Sequence, residues 1–301
     1  MSRDDRLAVG LAGAGPWARA VHAPVFAAGP ETRLAGVWSR TREHAEALAT
    51  THGAPVIGSF DALLECCDAV AFAVPPDVQP ELAVRAARAG KAVLLEKPLA
   101  LDTAGAERVA KAVAENGVGS MMVLTYRFAP AVRQFLTRAA KFDTLGARAC
   151  FLSGAFLSGE YASSPWRVQH GALLDVGPHI LDLVDAAVGR VIRVQAQGNV
   201  HDWISVVLHH ETGAISDVSI SCRAAITPSR TEVELFGPEG TLSVDGRADQ
   251  RAELLANLRV DFVGVAQDGR RHPCDAEHGL YLQRLLTATE FALASGRITR
   301  V

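Results

Sequence analysis

Along the first part of the chain, apolar residues come in short unbroken runs. Each run is followed by a segment in which they recur at helical spacing. Residues 7–12 (LAVGLA) form such a run and stop at Gly13, the pattern of a strand buried on both faces. Ala-rich residues 16–28 follow with helical character. The alternation then repeats. Residues 33–38, 56–57, 69–74, 92–95 and 119–124 read as further strands. Residues 41–51, the segment after Ser59, 77–89 and 102–116 read as helices. Ser59 suits a helix N-cap, while Gly90 and Gly117 stand where a helix end needs a left-handed residue. Strand–helix alternation with short loops predicts a parallel sheet covered on both faces. Right-handed crossovers align its strand carboxyl ends on one edge, where ligands bind.

After about residue 125 the period changes. A helix over 130–140 and a polar stretch lead into runs of period two at 203–209, 214–222, 231–236 and 241–244. Turn signals separate them at Glu211-Thr212-Gly213 and Gly237-Pro238-Glu239-Gly240. These runs predict an antiparallel or mixed sheet with one exposed face, and residues 280–294 a final amphipathic helix. The chain therefore reads as two domains with no low-complexity linker. The first, over 1–124, is an α/β Rossmann dinucleotide-binding domain. The second, over 125–301, is an α+β domain with a largely antiparallel, open-faced sheet.

Composition adds exclusions. The 301 residues are 49% hydrophobic and 21% charged, enough to bury real cores. A net charge of −3 argues against a nucleic-acid binder or a polybasic membrane binder. No apolar run approaches the roughly 18 residues that span a bilayer. The opening MSRDDRLAVG lacks the apolar stretch of a signal peptide. The five cysteines (66, 67, 150, 222 and 274) are odd in number and form no CxxC pair. A disulfide framework or structural zinc site is therefore not expected, and a reducing cytoplasm is. Cys66 and Cys67 read as small buried residues at a helix end. His201, Asp202, His209 and His210 look superficially like metal ligands, but adjacent strand residues face opposite sides, so no single metal site is expected. Arg270-Arg271-His272 reads as a solvated loop.

Gly13-Ala14-Gly15-Pro16-Trp17-Ala18 follows the first strand and opens a helix, fitting GxGxxA. Gly13 permits the tight turn, Gly15 lets a pyrophosphate approach the backbone, and Ala18 lets helix and strand pack closely. The helix start offers free N–H groups to the phosphates, and Pro16 is tolerated where an N–H is unpaired anyway. NAD sites usually carry a carboxylate after the second strand; here the sequence is Ser39-Arg40-Thr41-Arg42. A hydroxyl and arginines suit a 2′-phosphate, so NADP(H) is favoured and NAD(H) remains possible. Val74 and Pro75, at the end of the 69–74 strand, lie on the same edge.

Glu96-Lys97-Pro98 leaves the 92–95 strand at this edge. Further on, Gly171-Ala172-Leu173-Leu174-Asp175-Val176-Gly177-Pro178-His179 places Asp175 and His179 four apart, on one helical face. Pro178 predicts that this helix begins near Asp175 or is distorted there. Read alone, Asp175 is equally an N-cap and His179 a packed histidine.

Together these segments resemble the Gfo/Idh/MocA oxidoreductases. The resemblance rests on the glycine loop, the Glu96-Lys97-Pro98 segment, Tyr126-Arg127-Phe128-Ala129-Pro130, and Trp166 ahead of the stretch ending in His179. It implies hydride transfer between a nicotinamide and a secondary alcohol or ketone of a sugar, inositol or related polyol, with Lys97, Asp175 and His179 as the catalytic group. It also implies a homodimer or homotetramer through the second sheet. Departures are Ala172 in place of a second glycine, Gln79 where a histidine is common, and Thr125 where an asparagine is frequent. The second domain is also shorter than in many relatives.

Such chemistry needs a proton moved at oxygen as hydride moves at carbon. His179 is the expected base in oxidation, with Lys97 stabilising the reacting oxygen; the reverse assignment stays open. Asp175 is expected to hold a neighbouring hydroxyl or to orient His179. Tyr126 and Trp166 are expected at the substrate, and Arg127 and Arg167 are further candidates; domain packing explains Trp166 equally well and Arg127 better. Two other readings are a catalytically silent nucleotide-bound sensor and an S-adenosylmethionine site. The paired Lys97 and Asp175/His179 segments favour the oxidoreductase over both.

Overall fold

The computed structural model describes residues 5–159, 162–246 and 251–301. It divides into two compact units: the chain up to Val123 with Leu255–Leu280, and Leu124–Leu254 with Tyr281–Val301.

The first unit begins with β1 (Leu7–Ala12). A π-type turn (Ala18–His22) leads into α1 (Ala23–Ala28) and β2 (Thr32–Trp38). There follow α2 (Arg42–His52), α3 (Phe60–Cys66), β3 (Ala69–Phe72), α4 (Gln79–Arg88), β4 (Ala92–Leu95), α5 (Thr103–Asn116) and β5 (Ser120–Met122). The five strands run parallel in the order β2-β1-β3-β4-β5. Order reverses between β1 and β3, so a crevice opens beyond their carboxyl ends. Local chemistry sets the element ends. Ser59 accepts from the Ala62 N–H at 3.1 Å, and Asp102 from the Gly105 N–H at 2.6 Å. Gly90 and Gly117 are left-handed. The 56–57 run makes only one bridge, Val37 to Val56, rather than a strand. Pro55 and Gly58 cut it to two residues. Cys67 is buried, which pushes its thiol up to about 11, whereas Cys66 is exposed on the end of α3.

The second unit contains a 3₁₀ turn (Thr125–Phe128), α6 (Pro130–Ala139), β6 (Gly146–Leu152), α7 (Pro165–Val188), β7 (Val191–Gly198) and β8 (Ile204–His210). Then come β9 (Ile215–Ser221), β10 (Arg230–Gly237) and β11 (Gly240–Asp245); α8 (Arg251–Gln267) from Leu255 on and α9 (Ala276–Ser295) up to Leu280 belong to the first unit, and the rest of α9 and β12 (Thr299–Arg300) to the second. Its seven strands lie in the order β11-β10-β6-β9-β8-β7-β12, antiparallel except for β6 beside β9. One face packs under α7. On the other, Arg148 lies opposite both Asp217 and Glu234, so charge alternates from strand to strand.

Three elements lie outside the sequence pattern. The inward residues of β6 include Ala147 and Ala149, too small to mark a strand; β7 places exposed Ile192 and Arg193 side by side. Helix α8 mixes valines and Gly264 into its length, which weakens helical periodicity. From Leu255 to Leu280 the chain packs with the first unit rather than with the domain that precedes it in sequence. There Phe262 meets the Phe26 ring at 5.9 Å, and Arg259 Nε donates to Glu31 Oε2 at 2.8 Å, which lowers the Glu31 pKa. The Met122 N–H on the sheet edge donates to the Cys274 carbonyl at 2.6 Å, so the edge of β5 is covered. His272 is not simply solvated, because its Nε2 lies 3.4 Å from Asp261.

Helix α7 does not begin near Asp175. It consists of two helical pieces broken at Gly171, whose φ of 70° and ψ of −162° suit glycine. A Cβ there would lie 2.3 Å from the Val200 carbonyl oxygen, which instead accepts from the Ala172 N–H at 2.8 Å. Pro178 sits inside the second piece, where its missing N–H leaves the Leu174 carbonyl without its intrahelical donor. At the far end of α7, the Tyr281 hydroxyl donates to Asp185 Oδ1 at 2.5 Å, and the Val191 N–H donates to the same oxygen at 3.0 Å. Burial, reinforced by the Asp185 charge, raises the Tyr281 pKa and keeps the phenol a donor.

His209 and His210 face opposite sides of β8. His210 is buried between the Gly189 carbonyl at 2.6 Å and Ser216 Oγ at 2.8 Å, and burial lowers its pKa from 6.5. Above pH 6.5 the ring is neutral in both folded and unfolded chains. As pH falls below that value the unfolded chain takes up the proton first, so stability drops. The slope of thermal midpoint against pH just below 6.5 should be shallower in His210→Gln than in the parent; identical slopes would remove His210 from the account.

Candidate functional site

In the first unit the glycine loop turns at the end of β1. Gly13 has φ 113°, and a Cβ there would lie 2.3 Å from the Ala73 carbonyl oxygen, where the chains leaving β1 and β3 cross. Only glycine fits. Gly15 differs, since no protein atom lies within 4 Å of the position a Cβ would take. The space beside it is open for a group that must approach the backbone closely, as a pyrophosphate does. The π-type turn that follows closes on an Ala23 N–H to Ala18 carbonyl bond.

An open groove of about 570 Å³ runs from this loop along the sheet edge. Of the sequence candidates, Gly13, Gly15, Ser39, Arg40, Val74 and Pro75 line it. Pro16, Trp17, Ala18, Glu96 and Lys97 do not. The groove also takes Thr41, His44 and Val78, which the sequence reading passes over. His44 gave a usable signal, because it lies three residues after Thr41 on the first turn of α2. Among the described residues no carboxylate lines the groove. The Ser39 hydroxyl accepts from the Thr41 N–H at 3.3 Å. Arg42 points elsewhere, donating to Glu46 at 2.7 Å.

Glu96 and Trp17 have a different task. The buried Glu96 carboxylate accepts from Trp17 Nε1 at 2.6 Å and lies 2.7 Å from His22 Nε2, so it ties the strand end to the helix after the glycine loop. Gln79 holds the same segment from the other side. Its oxygen accepts from the Glu96 N–H at 2.8 Å, and its amide donates to the Glu96 and Leu99 carbonyls at 2.8 and 3.1 Å. The half-buried Lys97 therefore stands between two fixed neighbours. The departure at position 79 is a structural clamp.

In the second unit Asp175 and His179 lie on the intact second piece of α7, 6% and 8% exposed. The His179 ring meets the edge of Tyr126 at 5.5 Å and stacks on Phe151 at 6.3 Å. Tyr126 is itself held by Thr231, whose hydroxyl donates to the phenol oxygen at 3.1 Å. Arg167 Nε lies 3.0 Å from Asp175 Oδ1, and its guanidinium covers the Trp166 ring at 4.4 Å. The structure thus brings Tyr126, Asp175, His179, Trp166 and Arg167 into one connected set. Arg127 instead makes a buried ion pair with Asp182 at 2.9 Å. Among the described residues no group of three or more His, Cys, Asp or Glu is placed to hold a metal ion, and no helix is long and apolar enough to cross a membrane.

Comparison with known proteins decides the family. Residues 7–124 match the model of the Gfo/Idh/MocA oxidoreductase family with an NAD-binding Rossmann fold, and 147–243 match the family's C-terminal domain. A dTDP-3,4-didehydro-2,6-dideoxy-alpha-D-glucose 3-reductase of Streptomyces violaceoruber is 31% identical over 271 residues, covering 85% of this chain and 77% of that protein. The chain belongs to the Gfo/Idh/MocA oxidoreductases. Like other members of this family, it pairs a nicotinamide-binding Rossmann unit with a mostly antiparallel second sheet. A scyllo-inositol 2-dehydrogenase (NADP(+)), IolU of Bacillus subtilis, is 29% identical over 231 residues, covering 71% of this chain and 68% of that protein. GenD2 from gentamicin A biosynthesis, solved in complex with NAD, superposes with a TM-score of 0.87 at 25% identity, covering 99% and 97% of the two chains.

The Gln79 clamp makes a prediction about stability. Gln79→Ala strands the Glu96 N–H and two carbonyls in a buried site, at a cost of about 2–4 kcal/mol. Denaturant unfolding should show this loss. A change below about 1 kcal/mol would mean that Gln79 does not hold the Lys97 segment.

Proposed function

We propose that this chain transfers a hydride between NADP(H) and a secondary alcohol or ketone of a sugar or polyol. The observation that carries the reading is the set built on α7. A carboxylate and an imidazole stand one turn apart, each fixed by its own neighbours, in a chain of dehydrogenase family. The relatives' substrates, by name, are a nucleotide-linked didehydro-dideoxysugar and an inositol, in which the reacting group is a ring ketone or a ring secondary alcohol.

In this proposal Gly13, Gly15 and the helix start hold the pyrophosphate, with Val74 and Pro75 along the coenzyme's path. Bound there, the nicotinamide gives or takes the hydride. His179 takes the hydroxyl proton during oxidation and returns it during reduction. Between edge-on Tyr126 and stacked Phe151, its ring is held in orientation. Lys97 donates to the reacting oxygen and stabilises charge developing on it. Asp175 receives a neighbouring substrate hydroxyl, and Arg167 keeps its carboxylate aimed.

The preference for NADP(H) rests on charge. Ser39, Arg40, Thr41 and His44 give the ribose end hydrogen-bond donors and a cation, with no carboxylate to repel a 2′-phosphate. Relatives carry both coenzymes in their names and titles, and these side chains are what supports NADP(H) over NAD(H) for this chain.

His179→Ala and Lys97→Ala should each lower turnover by about 10²- to 10⁴-fold while NADP(H) affinity, read by fluorescence titration, stays nearly unchanged. Parent-like turnover in both would end the assignment. For the coenzyme, Ser39→Asp combined with Arg40→Ala should move the ratio of kcat/KM values toward NAD(H). An unmoved ratio would show that the two residues do not read the ribose.

A further inference from the structure

The second unit carries a separate groove of about 320 Å³, lined by Phe156, Ala162, Arg167, Val168, His201 and Arg223. Among the described residues its charged and titratable walls are two guanidiniums and an imidazole, with no carboxylate. Phe156 and Val168 give it an apolar side, and Val168 is 58% exposed.

Arg167 is held by its side chain, and the segments that carry His201 and Arg223 are tied to each other through their backbones. Arg167 is fixed by Asp175 and Trp166 as described, with its side chain only 18% exposed. His201 comes from the turn between β7 and β8, and Arg223 from the chain just after β9. One buried residue, Ser221, joins these two segments. Its hydroxyl donates to the Asp202 carbonyl at 2.6 Å and accepts from the Arg223 N–H at 3.1 Å. The Asn199 side chain accepts from the His201 N–H at 2.9 Å and shapes the same turn. Among the described residues Arg223 makes no ion pair with a carboxylate, so its charge on the groove is not cancelled there.

A neutral polyol has no use for such a wall. Guanidinium forks match phosphoryl oxygens two at a time, and a concave basic site concentrates the field on an anion. We propose that this groove binds a phosphoryl group carried by the substrate, so that the sugar reaching Asp175 is a phosphate or diphosphate ester. Arg167 joins the two regions, with its guanidinium on the groove and its Nε at the Asp175 carboxylate. The placement beside Asp175 rests on the dehydrogenase reading; the anion site itself rests on the groove. A sugar monophosphate and a nucleotide-activated sugar share this chemistry.

The test is calorimetric titration of the intact protein, saturated with NADPH to fill the first unit's groove. The probes are inorganic diphosphate, glucose 1-phosphate, UDP-glucose and glucose. At least one phosphorylated probe should bind about tenfold or more tighter than glucose. Arg223→Ala should lose about tenfold of that affinity, and Arg223→Lys should keep part of it. Affinity should also fall as salt rises. UDP-glucose above glucose 1-phosphate points to a nucleotide-activated sugar, and the reverse order to a monophosphate. Equal binding of all probes, or unchanged affinity in Arg223→Ala, overturns the proposal. Because binding is read without turnover, failure to oxidise or reduce any sugar would count against the dehydrogenase reading alone.

Discussion

The first unit depends on one buried carboxylate. Glu96 lies where β4 ends, and it reaches Trp17 and His22 on the helical segment that the glycine loop opens. Its backbone is pinned from the opposite side by Gln79. Two parts distant in sequence, the segment that the glycine loop opens and the loop that carries Lys97, therefore share one anchor. A carboxylate removed from water is tolerated only when its lone pairs are used, and here two ring N–H positions and the Lys97 N–H at 3.3 Å surround it. Rigidity at this point is what lets a flexible side chain such as lysine act at a defined place.

Much of this arrangement is legible in the sequence, for identifiable reasons. The buried strands show as unbroken apolar runs because both of their faces are covered. Gly13 is readable because the crossing at Ala73 admits no side chain, and Ser59 because an unpaired helix start demands an acceptor. The spacing of Asp175 and His179 announces one helical face. What is hidden follows from side chains that act across sequence distance. Nothing near Gln79 reveals that it bonds to residues 96–99, and nothing near Arg167 reveals its ion pair with Asp175. Strand β6 escapes because its inward positions are alanines, and the break at Gly171 escapes because Pro178 is the stronger local signal. Residues 255–280 are assigned by packing against β5 and Phe26, which no local pattern records.

Arg167 explains why the second unit's site is more than a pair of catalytic candidates. Asp175 is nearly out of water, and a buried carboxylate without a cation would be costly. Arg167 offsets that cost, and stacking on Trp166 fixes its plane. Edge and stacked contacts hold His179 in the same way. In both cases an aromatic face packs against the polar group and fixes its plane.

The lone parallel neighbours of the second sheet, β6 and β9, have a consequence for how the chain assembles. Strand β6 is synthesised first, yet each of its ladders waits for a distant partner. On one side β9 can join only after α7, β7 and β8 have been laid down, and on the other side β10 comes later still. The β7, β8 and β9 strands can pair through short connections, but loop-closure entropy must be overcome before β6 gains either ladder, and such non-local pairing is slow. Until that closure, β6 has both edges open to a neighbouring chain.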